Sequence, residues 1–397
     1  MTGGDFQDKT LSRMNVRAKQ HFRTAQLLSL SEGTPTGILL FFSGALLLLA
    51  FSIDMFILEV SPFTEEPPHF TRRAYNLRTI LIALSSCLFV VFIARLSLIG
   101  GRLNEDDESE ALNGSKLGTR SIANLIEPGN TPHWMKKLIV WVVFSVALVF
   151  QFIFLTRPEL FFKLGREGNL IETLSATFAF IACGLFAYIF LLLCRQALPT
   201  KGFYLVTSLS FAGVFFLLGM EEVSWFQRVL SFDTPELFKS NTQGEFNLHN
   251  FATNYVENAY YFCSFVFLIL LPFINDRTRL LGQNPLSFFV PSRFILLVSA
   301  IFVAYNYEMW RILLTQLSFF MTFFILTYYA WLGRRRRENL FVAITGVILY
   351  VLTQVSFLAF GGFRLRITEY KEFFIPLDFL LYAFEILRKA QAIRPSR

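Results

Sequence analysis

Charge is scarce in this chain. Asp, Glu, Lys and Arg together make up 16% of its 397 residues, where soluble domains carry about 25%. Histidine is scarcer, with 4 residues, and no HExxH or HxxxH spacing occurs. A glycine-rich phosphate loop and a GxSxG elbow are absent as well. Cysteine also numbers 4 (Cys87, Cys183, Cys194 and Cys263). All sit in or beside apolar runs and none forms a CxxC pair, which excludes a zinc ribbon and a disulfide framework and leaves small buried hydrophobes. No internal repeat is visible, so a solenoid is excluded too.

What the chain has is apolar surface. Hydrophobic residues reach 54%, aromatics 17%, phenylalanine alone 49 residues, and mean hydropathy is +0.50. A water-soluble globule cannot hide that much, so a soluble enzyme and a disordered chain are both excluded. The fold class expected is all-α: a polytopic transmembrane helical bundle. The net charge of +7 does not indicate nucleic acid, because Lys and Arg collect in short loops between apolar runs, where membrane topology places them. The partner implied is the lipid bilayer.

Runs long enough to cross the hydrocarbon core lie at 37–60, 79–100, 137–155, 171–194, 203–220, 253–274, 292–306, 312–332 and 340–360. A further run at 373–387 is short and carries Asp378 and Glu385, leaving open whether it spans. Residues 1–36 read as a basic cytoplasmic arm (Lys9, Arg13, Arg17, Lys19, Arg23) without a cleavable signal. Residues 37–388 form the bundle and 389–397 a cytoplasmic tail. The connection 101–136, with Glu105, Asp106, Asp107, Glu108 and Glu110, reads as a flexible cytoplasmic segment. Lys and Arg are more frequent in the loops on the N-terminal side, above all at Arg334 to Arg337, so the N-terminus is placed in the cytoplasm.

In that topology the carboxylates gather at the outer ends of the spans: Asp54, Glu65, Glu66, Glu172, Glu221, Glu222, Glu257 and Glu308. An ionised carboxylate inside a membrane helix costs about 2.5–3.5 kcal/mol on insertion scales and is kept where it is paired, hydrated or useful. The densest polar stretch is 219–258. If the fifth helix continues past Met220, then Glu221, Ser224, Trp225 and Arg228 share one stripe, with Glu222 about 100° around. An acid and a guanidinium on one face can pair or jointly hold a polar head group. Thr234-Pro235-Glu236 starts a short interfacial helix. Gln243 to Asn250 then leads into the sixth span, where Asn250, Asn254, Glu257 and Tyr261 share a stripe with Asn258 beside it.

These stretches supply catalytic candidates (Glu221, Glu222, Arg228, His249, Glu257) and substrate-binding candidates (Ser224, Trp225, Gln227, Asn247, Asn250, Asn254). Carboxylates with an imidazole suit a divalent metal ion, for which Glu222, Glu245 and His249 are the candidate ligands. The same groups suit general acid–base work without a metal. Glu65, Glu66, His69, Arg72, Asn306, Glu308 and Arg311 in other outer loops are secondary candidates.

Glu221-Glu222-Val223-Ser224-Trp225-Phe226-Gln227-Arg228, then Thr234-Pro235-Glu236, then Gln243 to Asn250 resemble a pattern, roughly EExSWxQR…TPE…QGExNLHN, in a group of bacterial polytopic membrane proteins with no established activity. The resemblance implies a protein of the bacterial cytoplasmic (inner) membrane and carries no mechanism. The residues themselves fit three functions. One is a membrane-embedded enzyme acting on a lipid or lipid-linked substrate at the outer face. The second is an ion-coupled transporter using the same carboxylates. The third is an assembly subunit of a membrane complex. Substrate, reaction type and oligomeric state stay open at this level.

Overall fold

The computed structural model describes residues 35–67, 72–111, 133–166, 168–196, 198, 200–241, 246–282, 284–336, 340–362 and 365–393. The predicted basic arm and most of the long polar connection lie outside them. Among the described residues, all regular structure is helical, and nine helices are long and apolar enough to cross a membrane. The chain is a multi-pass membrane protein.

In chain order the helices are α1 (Pro35–Ile53, continued by a π-turn Asp54–Leu58), α2 (Arg72–Ala111), α3 (His133–Thr156), the short α4 (Pro158–Leu164), α5 (Leu170–Cys194) and α6 (Lys201–Glu222). After the four-residue α7 (Gln227–Leu230) come α8 (Thr253–Thr278), α9 (Leu286–Ala304), α10 (Leu313–Arg336), α11 (Leu340–Phe360) and α12 (Ile367–Ala392). Local chemistry explains the irregular points. Pro272 has no N–H to give to the preceding turn, and α8 carries its π-turn at Val266–Leu270 just before it. Pro291 interrupts α9, and Ser292 restarts it by accepting the Ile295 N–H at 3.4 Å.

Two boundaries differ from the sequence reading. Helix α2 runs on through Glu105 to Ala111, where a flexible segment is predicted, because Leu, Glu and Ala there are good helix formers. The run predicted at 373–387 is the middle of α12, a helix of 26 residues or about 39 Å. Its start contacts Glu308, just beyond the end of α9. Its last turns contact Phe288, Val290 and Ser292 at the start of α9. Helix α12 therefore runs antiparallel to α9 through the full depth of the bundle.

That position accounts for its charge. Helix α12 packs against α5 and α9 and buries Tyr370, Phe374, Tyr382 and Ile386 completely, so its polar groups meet protein instead of lipid. The same centre holds stacked Phe161 and Tyr370, 3.8 Å between ring centroids. By contrast, only 22% of the apolar window of α1 or α6 is buried, against 67% for α9. Phe41, Leu48, Val206 and Leu209 point outward, giving the lipid-facing rim of the bundle.

Candidate functional site

Helix α6 ends at Glu222, not beyond it. Ser224, Trp225 and Phe226 take left-handed backbone angles, with φ of 47°, 52° and 60°. Each such residue costs about 1–2 kcal/mol for a side chain with a Cβ, so tertiary contacts must hold the turn. They do. Glu221 accepts hydrogen bonds from Trp225 Nε1 (2.7 Å) and from the Leu248 N–H (2.8 Å). Buried Asn247 donates to the carbonyls of Glu221 (3.0 Å) and Phe246 (2.9 Å) and contacts Ser224 Oγ at 3.2 Å. Gln227 donates to Thr234 Oγ1 (2.6 Å) and accepts from the Phe246 N–H (2.7 Å).

The single stripe of Glu221, Ser224, Trp225 and Arg228 predicted on a continued helix does not form, because the helix breaks at Val223. Glu221, Ser224, Gln227 and Asn247 instead lace the 223–251 connection together. The predicted interfacial helix is also shorter than expected: one 3-10 turn, Glu236–Phe238, entered through Pro235. The side chains of Arg228 and His249 and the whole of Glu245 lie outside the described residues. Glu221→Ala removes two acceptors at once. It is expected to loosen this connection by about 1–3 kcal/mol, read as at least about 10-fold faster tryptic cleavage at Lys239 with unchanged helix content.

Ionisable groups converge on the other side of α6. Glu222 faces Ser175 and Glu172 of α5 and Glu372 of α12. From α8, Glu257 lies within electrostatic reach of Glu372, Lys371 and Glu308, and Tyr261 donates to Glu372. The buried Lys371 ammonium donates to Asn306 Oδ1 and sits 4.4 Å from the centre of the Tyr261 ring. Asn306 is tied in turn to Gln354, whose Nε2 donates to its carbonyl at 2.7 Å. Glu369 pairs with Arg366 at 3.5 Å.

Glu308 has a defined structural task. The residue before α12, Arg366, is left-handed (φ 50°) and supplies no side-chain cap. Glu308 reaches over from the α9–α10 connection and accepts from the Ile367 N–H (3.0 Å) and Thr368 Oγ1 (2.9 Å). A carboxylate is well placed at the positive end of a helix. Glu66 similarly accepts from the Arg311 N–H at 3.2 Å.

Two cavities flank the cluster. A cleft of about 500 Å³ is lined by Glu65, Glu66, Asn254 and Glu308 together with apolar Val60 and Met309; small-molecule pockets fall in this size range. A small pocket of about 20 Å³ lies between Tyr261, Asn306, Ser318 and Lys371, large enough for one water.

Among the sequence candidates, Glu222 and Glu257 stand within reach of one carboxylate, Glu372, while exposed Asn254 lines the cleft. Asn250 is buried in the 3-10 turn His249–Phe251, before α8 begins, so it does not continue the α8 stripe. Among the described residues no three His, Cys, Asp or Glu side chains are placed to hold a metal ion; of the predicted ligands Glu222, Glu245 and His249, only Glu222 has a described side chain. Sequence reasoning missed Glu369, Lys371 and Glu372. Their signal was present in the run Thr368-Glu369-Tyr370-Lys371-Glu372 ahead of an apolar stretch, but it reads as a loop unless α12 is started at Ile367. Comparison with protein-family models, with curated proteins and with solved structures gives no match to the chain.

Proposed function

We propose that this chain is a membrane-embedded enzyme that acts on a lipid or lipid-linked substrate at the extracytoplasmic end of its bundle. The observation that carries the proposal is the convergence of Glu222, Glu257, Tyr261, Lys371 and Glu372 from α6, α8 and α12, near a cleft whose lining joins carboxylates to apolar side chains. Carboxylates outnumber cations in the cluster. Such a group of acids holds and passes protons, which is what general acid–base catalysis requires. The cleft's mixed lining suits a ligand with a polar head and an acyl or prenyl body.

In this reading Glu257 and Glu222 exchange protons with the substrate, Glu372 and Lys371 set their charge, and Arg228 and His249 belong to the head-group end on sequence grounds. The membrane is the bacterial cytoplasmic membrane with the N-terminus inside, supported by the basic loops and by the motif resemblance.

The test uses the purified chain in phosphatidylethanolamine–phosphatidylglycerol vesicles doped with a polyprenyl-phosphate-linked sugar, with lipid products read by mass spectrometry. Turnover is expected in the wild type and a loss of about 10²–10⁴-fold in Glu257→Gln. Equal turnover in the two proteins would remove Glu257 from the chemistry, and a wild type that converts no lipid would overturn the enzymatic reading. The line of ionisable residues along α12 favours an ion-coupled transporter as the second reading.

A further inference from the structure

Helix α12 carries Lys371, Asp378, Tyr382, Glu385 and Lys389 at i, i+7, i+11, i+14 and i+18, which is one helical face. That face meets α9 and the residues just after it along the whole depth of the bundle, through polar contacts. Lys371 is held by Asn306. Tyr382 donates to the Phe289 carbonyl at 2.6 Å. Glu385 accepts from Ser292 N (3.2 Å) and Oγ (2.5 Å) and pairs with Lys389 at 2.8 Å. Lys389 also donates to the carbonyls of Phe288 and Val290.

Asp378 is the least compensated of the five. It is 1% exposed, and what meets its carboxyl is a neutral group, the fully buried Ser299 hydroxyl on α9. A structural seam would place an amide or an alkyl group here, since a carboxylate met by a single hydroxyl is poorly compensated in such surroundings. Of the other titratable groups, Tyr260 of α8 is within electrostatic reach of Asp378, and also of Glu222 and Glu372.

We infer that Asp378 is a proton-binding site in the interior of the bundle, an acid that carries its proton in the folded protein and exchanges it with water. The inference does not depend on the enzymatic reading: a catalytic cycle and an ion-coupled carrier both have use for such a site.

Infrared spectroscopy of the full chain in phosphatidylethanolamine–phosphatidylglycerol vesicles tests it, with the proton and deuteron as probes. Protein carrying a ¹³C label on the aspartate carboxyl carbons is expected to show an isotope-shifted carboxylic-acid C=O band. Asp378→Asn, nearly isosteric with the protonated acid, is expected to lack it. In deuterated buffer the wild-type band is expected to shift well before the amide protons of the helix core exchange. A band that survives Asp378→Asn, or none in the wild type, overturns the site. A wild-type band that shifts no faster than those amides overturns the exchange of its proton with water.

Discussion

Asp54→Asn is expected to destabilise the bundle by about 3–5 kcal/mol, the usual cost of removing one member of a buried ion pair. Asp54 and Arg78 are both completely buried and 2.6 Å apart. Arg78 also donates to the Arg311 carbonyl (2.5 Å) and to Gln316 Oε1 (3.1 Å), and its guanidinium stacks 5.0 Å from the Tyr75 ring. Gln316 is held by Tyr75 at 2.8 Å. The pair thus joins the end of α1 to α2 and α10. Neutralising Asp54 leaves a guanidinium in the interior with dipoles alone to meet it. The double variant Asp54→Leu, Arg78→Met removes both charges and is expected to recover most of the loss, since apolar replacements of buried pairs are often neutral. Unfolding in mixed detergent–dodecyl sulfate micelles measures both. A single variant as stable as the wild type would show that water reaches the pair.

This pair also shows what the sequence revealed and what it hid. The apolar runs located the nine candidate spans, because lipid demands long uninterrupted apolar helices and little else produces them. The gathering of acids toward one end of the bundle was visible for the same reason: each charge stands out against an apolar background. Partners were not visible. Arg78 reads as a loop cation, yet it lies inside and answers Asp54, 24 residues earlier. Lys371 reads the same way and is equally interior. Both look like topology signals because a hydropathy count sees only charge near a span end and cannot see a carboxylate supplied by another helix.

Helix α12 stays undecided in the sequence on the same ground. Measured against lipid, its charges argue against a long helix; measured against α5, α8 and α9, which enclose it, they find partners. The turn at Ser224–Phe226 was hidden for a different reason. Nothing in Val223-Ser224-Trp225-Phe226 breaks a helix by propensity, and the left-handed path is imposed by Glu221 and Asn247 gripping residues well along the chain. The residues that carry the motif were thus legible as a group, but the division between those that lace the connection and those that face the cluster required the fold.

Lys371→Met tests whether the carboxylate cluster is held together by this interior ammonium. Lys371 is 4% exposed, bonded to Asn306, seated over Tyr261, and within electrostatic reach of Glu257, Glu308 and Glu372. Methionine keeps most of the side-chain volume, so the change isolates the charge and its hydrogen bond. The expected cost is again about 3–5 kcal/mol, most of it the penalty of leaving carboxylates buried without their cation. If that is the origin, Glu257→Gln in the same chain relieves part of it. The double variant should then be more stable than the sum of the single changes by about 0.5–3 kcal/mol, the range for residues sharing one network. Additive losses would mean that Glu257 and Lys371 do not sense each other. The cluster would then be separate surface acids around a lysine that serves Asn306 alone, and the acid–base reading of the site would lose its physical basis.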